Sequence, residues 1–325
     1  EICGWIVQST DKRSMRPILR LLRPGDWIKN VFVLVPLFFW LPGAGRGIDS
    51  SEITAKMTLA AIAFAAFCLA SSGWYAINDI LDAKEDRLHP VKRNRPVASG
   101  RIPAALAALI GIGLATLAIV VAAQANSGTM WVVVAYIALQ GGYNLGLKRL
   151  IFIDAATIAS GFCLRAIAGA VAIAAPVSIW LILCVFFLTL YLAFIKRQCD
   201  LSSASRMQAT QWKPRAKYGD LAELNWLLSV SGGLTVLMFL MYTLSAHAQG
   251  IFGGRSFGLA LLTPIVLIVV HRFYRRAMQG LSDSPLDAIR SDPIVAVAMS
   301  IFVVGVYGIL YVAGVEEFLR RALLI

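Results

Sequence analysis

The 325-residue chain contains few charged residues and few residues that bind soft metals. Asp, Glu, Lys and Arg make up only 15% of it, against 58% hydrophobic residues and a mean hydropathy of +0.73. This composition excludes an ordinary soluble domain. The five cysteines and three histidines form no CxxC pair and show no Cys/His spacing typical of zinc sites, so the sequence implies neither a zinc site nor a disulfide.

The sequence contains long apolar runs separated by short charged stretches. They lie near 30–42, 56–78, 103–123, 130–147, 152–174, 178–196, 224–246, 257–274 and 293–314. Most reach the roughly 17 to 22 residues that a helix needs to cross about 30 Å of hydrocarbon. We therefore predict an all-α, polytopic membrane protein with nine transmembrane helices. Residues 1–325 are expected to form one domain, and those before about 15 to be non-native or disordered.

The basic residues predict how these helices are oriented. The net charge is +12, and Lys and Arg crowd every second connection, whereas intervening segments such as 124–129 and 174–177 carry almost none. By the positive-inside rule, the N-terminus and the basic loops face the cytoplasm, which predicts a multi-pass protein of the cell membrane. Because the cations lie at membrane borders and not on a separate domain, the charge does not indicate a nucleic-acid partner.

One charged block, NDILDAKEDRLHPVKRNRPVASG at 78–100, separates the second and third runs. If its first part continues the preceding helix, a turn of about 100° per residue places four polar side chains within roughly one third of the circumference: Asn78, Asp79, Asp82 and Asp86. A single Asp there would be read as a solvated helix end. Several carboxylates on one face repel one another unless cations bind, and oxygen ligands favour a hard cation. We predict a Mg²⁺ site for a diphosphate, with these four residues as metal ligands and catalytic groups.

Other polar residues are predicted to gather at the same membrane side and to bind substrate. Pro90 and Pro96 stop the helix, so the segment after it can fold back over the carboxylates. Taken one by one, most of these residues are more often interfacial aromatics or snorkelling cations than ligands. Together they surround the mouth of one cavity: Lys29, Lys92, Arg93, Arg95, Tyr143, Lys148, Lys196 and Arg197.

Arg165 differs because it lies in the middle of an apolar run, GFCLRAIAGA. An unpaired cation at that depth is costly and usually marks either function or a buried pair. Asp154 is nearly in phase on the same helix but about 16 Å away along it, so the two cannot pair directly. We interpret Arg165 as a residue that lines the substrate pocket.

The block at 78–100 resembles the first aspartate-rich motif of the UbiA family of intramembrane prenyltransferases, and the similarity runs from about Leu22 to Gly314. Four segments resemble the branch that makes decaprenylphosphoryl-phosphoribose: LRPGDWIKNVFVLVPLFF at 22–39, YNLGLK at 143–148, GFCLRAIAGA at 161–170 and YLAFIKRQCDL at 191–201. The resemblance implies a nine-helix bundle with a lateral, lipid-facing opening. It also implies a Mg²⁺-dependent site near the cytoplasmic face, capped by loops 79–102 and 197–222.

The resemblance further implies a reaction. Enzymes of that branch transfer 5-phosphoribose from phosphoribosyl diphosphate (PRPP) to a polyprenyl phosphate, for the arabinan precursors of the cell wall. Aromatic prenyltransferases of the family carry a second DxxxD motif after the sixth span. Here that loop has only Asp200 and Asp220, too far apart to copy the motif, and is otherwise rich in Lys and Arg. This departure favours a phosphoribosyltransferase that takes PRPP and decaprenyl phosphate as substrates.

Two alternatives stay open from the sequence. A UbiA-type aromatic prenyltransferase that uses a polyprenyl diphosphate would share the fold and the first motif. A secondary transporter would also have many spans, but it should show broken helices and paired repeats around a midplane site, whereas these polar residues gather at one face. The sequence leaves the oligomeric state open, and a homo-oligomer is compatible with it.

Overall fold

The computed structural model describes residues 17–44, 49–88, 91–206, 218, 221–281 and 285–312, together with 314, 315, 317, 318 and 321. No strand occurs in this described part of the chain, which confirms the all-α prediction. Three short 3-10 segments connect the helices: Pro24–Leu34, Lys92–Asn94 and Leu147–Arg149. The α-helices are α1 Pro17–Leu22, α2 Val35–Ala44, α3 Ser50–Leu81, α4 Ala83–Leu88, α5 Ala104–Ala125, α6 Ser127–Leu145, α7 Ile153–Ala172, α8 Ile179–Arg206, α9 Leu221–Leu244, α10 Ala246–Phe252, α11 Arg255–Ala260, α12 Thr263–Met278, α13 Pro285–Ser291 and α14 Pro293–Tyr311.

Seven of the described helical segments are long and apolar enough to cross a membrane. They are Ser50–Leu81, Ala104–Ala125, Ile153–Ala172, Ile179–Cys199, Leu221–Leu244, Arg255–Met278 (α11 and α12 taken together) and Pro293–Tyr311. The predicted run near 30–42 falls on the end of the first 3-10 segment and on α2, and the run near 130–147 falls on α6. None of these elements is among the seven. A multi-pass helical membrane protein is therefore confirmed, but the count of nine spans is not.

Small residues let the helices approach closely, as is common where lipid provides no hydrophobic drive between them. A Cβ added to Gly73 of α3 would lie 2.8 Å from the carbonyl oxygen of Gly111 in α5. A Cβ on Gly169 of α7 would lie only 1.8 Å from the carbonyl oxygen of Val33. These contacts hold α3 against α5 and the 3-10 segment Pro24–Leu34 against α7.

The acidic block interrupts its helix at one residue. α3 continues through Leu81, and Asp82 closes it with a backbone N–H that donates to the Asn78 carbonyl at 2.9 Å. α4 begins at Ala83, after which the chain turns back, and Arg87 Nε donates to the Ala98 carbonyl at 3.2 Å. The block thus folds back over the end of α3, as predicted, but α3 already ends before Asp82, and Pro90 lies outside the described residues.

Candidate functional site

Three aspartates of the block are buried at one end of the bundle, which we call the acidic end. Asp79, Asp82 and Asp86 are each at most 4% exposed, and Asn78 is half-buried one turn before Asp82. Lys84 and Arg87, on the other side of the helix, are exposed. The predicted one-sided arrangement is therefore present in the structure, because the helical period continues across the break at Asp82.

Asp79 and Asp86 share one arginine. Arg95 Nη1 lies 2.7 Å from Asp86 Oδ2 and 3.5 Å from Asp79 Oδ1. Arg23 Nη2 donates to the same Asp79 oxygen, and its guanidinium carbon lies 4.9 Å from the ring centroid of Tyr75. Arg23 has a left-handed backbone at φ 50°, an uncommon conformation for a residue with a side chain. Two buried carboxylates are thus neutralised by two arginines from segments far apart in the sequence.

Asp82 belongs to a second pair. Lys148 Nζ donates to Asp82 Oδ1 at 3.0 Å, and the two side chains are 12% and 5% exposed. Lys148 lies in the 3-10 segment between α6 and α7, so the pair ties that connection to the end of α3. Burying two charges is costly unless they pair, which explains why each aspartate faces a cation.

The oxygen ligands of this face suit a hard divalent cation. In the described part of the chain, no three Asp, Glu, His or Cys residues converge as a preformed metal centre. Asp79 Oδ2, however, is buried without a hydrogen-bond partner, which is a costly state for a carboxylate oxygen and leaves it open to a ligand. Mg²⁺ typically binds one or two carboxylates and completes its shell with waters and substrate phosphates, so the residues present fit it.

Arg165 is buried at 4% exposure and is held by neutral groups. Its Nε donates to Asn30 Oδ1 at 2.8 Å, its Nη1 to the Gly161 carbonyl at 3.0 Å, and its Nη2 to the Tyr136 hydroxyl at 2.9 Å. Its guanidinium also lies 5.0 Å from the ring centroid of Phe162. The side chain therefore joins α6 and α7 to the segment before α2, and its role in substrate binding stays a prediction.

The remaining predicted residues differ in how far they are exposed, and their part in one site stays a prediction. Lys29 is 45% exposed in its side chain and contacts Asp26 Oδ1 at 2.5 Å. Burial acts to lower the pKa of Lys29, but Tyr75 and Asp26 outweigh it and raise the pKa, so the ammonium stays charged. Lys92 and Tyr143 are partly buried, whereas Arg93 and Lys196 are exposed.

Arg197 pairs with a fourth buried aspartate. Its Nε lies 2.8 Å from Oδ2 of the fully buried Asp154 at the start of α7. The Tyr218 hydroxyl donates to Asp154 Oδ1 at 2.6 Å and accepts the Phe152 N–H at 3.2 Å. The predicted capping loop at 197–222 is described only at 197–206, 218 and 221–222, so most of it lies outside the described residues. Loop 79–102 is described except for 89–90.

The structure adds two residues that the sequence did not single out, Arg23 and Tyr218, which make direct contacts to buried aspartates. Asn30, which opens the first apolar run beside Lys29, orients Arg165. Arg23 lies in the 22–39 segment, whose similarity to a family was the only sequence signal for it. Tyr218 gave no signal, since a lone tyrosine in a basic loop has no distinctive pattern.

The fold and the site together define a polytopic membrane protein that places three buried aspartates, paired with Arg and Lys side chains, at one end of a helical bundle. Residues 33–281, more than half of the chain, match the model of the UbiA prenyltransferase family. The chain belongs to this family of membrane enzymes, which confirms the resemblance found in its motifs.

Curated relatives and a solved structure agree with that assignment. The decaprenyl-phosphate phosphoribosyltransferase of Mycolicibacterium smegmatis is 36% identical over 68% of this chain and 68% of its own length. The protein of the same name from Mycobacterium tuberculosis is 31% identical over 85% of this chain and 88% of its own. A UbiA homolog from Archaeoglobus fulgidus, solved with GPP and Mg²⁺, is 18% identical with a TM-score of 0.64, covering 91% of this chain and 100% of that one. At that identity the structural likeness supports the fold alone.

Proposed function

We propose that this protein transfers 5-phosphoribose from PRPP to decaprenyl phosphate and releases diphosphate. The names of its curated relatives support the transfer of a phosphoribosyl group to decaprenyl phosphate. The observation that carries the proposal is the set of three buried aspartates, each facing an Arg or Lys, at one end of the bundle. A site with both carboxylates and cations suits a substrate that is a metal-bound diphosphate. We place this site at the cytoplasmic face of the cell membrane, where the product would serve cell-wall arabinan synthesis.

The donor would bind through its diphosphate. Asp82 and Asp86, with Asn78 and Asp79, would hold Mg²⁺, which when bound neutralises phosphate charge and makes diphosphate a better leaving group. Arg95 contacts Asp79 and Asp86 and would turn toward the phosphate oxygens, for which its planar fork is suited. Binding of the donor would thus exchange carboxylate–arginine pairs for contacts to phosphate.

Catalysis would depend mainly on positioning and charge. As the ribose C1–O bond breaks, negative charge grows on the departing diphosphate, and Lys92, Arg93 and Arg95 are the nearby cations that would stabilise it. A phosphate oxygen of the lipid would attack C1 from the opposite face, inverting the α-donor to a β-linked product. Because that oxygen is already an anion, the reaction needs no general base.

The acceptor phosphate would have to reach the same place from the membrane. Lys148, whose ammonium lies 3.0 Å from Asp82, is positioned to bind a phosphate next to the metal site. Lys29 and Lys196 are exposed cations that would meet the lipid phosphate or the ribose 5-phosphate at the membrane border. The apolar tail would remain among the transmembrane helices.

The test is direct. Purified protein in detergent, given radiolabelled PRPP, decaprenyl phosphate and Mg²⁺, should form a phosphoribosylated lipid, and EDTA should prevent it. Asp86→Asn should lower the rate by at least about a hundredfold, as expected for loss of electrostatic stabilisation. Glu85→Gln is the matched control, because its exposed carboxylate is one residue away on the other side of α4.

Two results would contradict the proposal. If Glu85→Gln and Asp86→Asn lower the reaction rate by the same factor, the buried aspartates do not form the active site. If no phosphoribosylated lipid forms, but a polyprenyl diphosphate alkylates an aromatic acid, the protein is an aromatic prenyltransferase of the same family.

A further inference from the structure

A charged cavity lies outside the site described above. It has a volume of about 190 Å³ between the C-terminal end of α12 and the turn that joins α13 to α14. Arg272, Arg275 and Arg276 line it, and Asp292 is the carboxylate among its described lining residues. None of its lining residues belongs to the acidic face or to the Asp154 pair, so the proposed function does not account for it.

The cavity lies at the same end of the bundle as the proposed active site. Leu281, in its wall, accepts a hydrogen bond at 3.1 Å from Cys199 Sγ near the end of α8. Two residues before Cys199, Arg197 binds Asp154, which follows the connection that carries Lys148. The ends of α8 and α12 are therefore neighbours, and the cavity opens where both helices leave the apolar part of the bundle.

Asp292 cannot neutralise the whole cluster because its oxygens are already engaged. Oδ1 accepts the backbone N–H groups of Ile294 and Val295 at 3.0 and 3.4 Å and caps α14. Oδ2 accepts Arg272 Nε at 3.1 Å and Nη2 at 2.7 Å. Burial acts to raise the pKa of Asp292, but these bonds outweigh it and lower the pKa, so one full negative charge faces three arginines.

Arg276 is the residue with unused binding capacity. Its side chain is only 10% exposed, yet its Nη1 is 3.8 Å from Asp292 Oδ2, too far for a good hydrogen bond. Nη2 donates to Ser291 Oγ at 2.8 Å, while Nε is buried and has no hydrogen-bond partner. A buried guanidinium N–H without a partner is costly, and an acceptor that enters the cavity would remove that cost.

We propose that this cavity is a phosphate-binding site, in which Arg276 and Arg275 hold a phosphate monoester group. Arginine forks match phosphate oxygens, and the described lining residues carry three arginines against one carboxylate, an excess of two positive charges. The volume accommodates a phosphate group with several waters, at about 30 Å³ per water. The phosphate comes either from the head group of an anionic membrane lipid, as basic pockets between helix ends commonly bind, or from a soluble phosphate.

The experiment has two arms that separate these sources. In the first, the full-length chain in detergent is titrated with inorganic phosphate against sodium chloride at equal ionic strength, and thermal stability is recorded. In the second, the protein is placed in nanodiscs of phosphatidylcholine, with or without phosphatidic acid, and the melting temperature is compared. Stabilisation in the first arm identifies a site open to soluble phosphate, and stabilisation only in the second identifies a lipid site.

Variants assign the effect to this cavity and not to the active site. Arg276→Gln should raise the Kd of the stabilising ligand by about tenfold or more, since it removes hydrogen bonds to a charged group. Arg276→Lys keeps the charge but not the fork and should fall in between. Arg290→Gln, an exposed position on α13 outside the cavity lining, should behave as wild type.

Folding of each variant is checked by its gel-filtration profile and its melting temperature without phosphate. If Arg276→Gln is well folded and responds to both probes as wild type does, the proposal is overturned. It is also overturned if neither probe stabilises the wild-type protein, whatever the outcome of the phosphoribosyltransferase assay.

Discussion

Arg95 provides the sharpest test of how the buried aspartates are stabilised. Its Nη1 lies 2.7 Å from Asp86 Oδ2, and the Asp86 side chain is 2% exposed while that of Arg95 is 23% exposed. Arg95→Gln removes the cation and leaves a buried carboxylate, a change that typically costs about 3–5 kcal/mol. Asp79 keeps Arg23 in the variant, so the loss falls mainly on Asp86.

Magnesium should reverse much of that loss if these carboxylates bind it. A ligand that binds only the folded state at about a hundred times its Kd stabilises by about 2.7 kcal/mol. In EDTA, Arg95→Gln should melt about 6 °C or more below wild type, at about 2–4 °C per kcal/mol. Mg²⁺ should raise the melting temperature of the variant more than that of wild type, where Arg95 competes for the same oxygens.

The assay is thermal unfolding in detergent, followed by intrinsic fluorescence at one fixed scan rate, because membrane proteins often unfold irreversibly. Arg93→Gln is the matched control, since Arg93 lies two residues away in the same segment but is exposed. Equal melting of Arg95→Gln and wild type in EDTA would refute the argument that a buried pair is broken. Equal shifts of both proteins on adding Mg²⁺ would refute competition between the arginine and the metal.

Two further predictions concern the scaffold. Gly169→Ala should lower the free energy of unfolding by about 1–3 kcal/mol, because its Cβ would lie 1.8 Å from the Val33 carbonyl oxygen. Gly113→Ala is the control, since Gly113 has open space around it. Equal melting temperatures of the two variants would contradict the close contact. Tyr218→Phe removes the hydroxyl 2.6 Å from Asp154 and should cost about 1.5–3 kcal/mol in denaturant unfolding. An unchanged unfolding midpoint would show that this hydrogen bond does not stabilise the folded protein.

The sequence was sufficient wherever the information was local. The helical period placed Asp79, Asp82 and Asp86 on one face, and the structure buries all three while leaving Lys84 exposed. Apolar length likewise predicted a multi-pass helical protein, since the thickness of a bilayer fixes the length of a span. The predicted count of nine spans is not confirmed. The described helices at the runs near 30–42 and 130–147 are not among the seven long apolar segments.

Only the tertiary structure decided which charges meet. Arg23 and Asp79 are 56 positions apart, and Lys148 and Asp82 are 66 apart, so no local pattern could pair them. Helix packing brings them together because a buried carboxylate must find a cation, and the partner is whichever basic side chain the fold delivers to it. The sequence by itself determined a membrane bundle with an acidic helix face. The packing of distant segments determined that Asp79 faces Arg23 and that Asp82 faces Lys148, while Asp86 pairs with Arg95 of its own block.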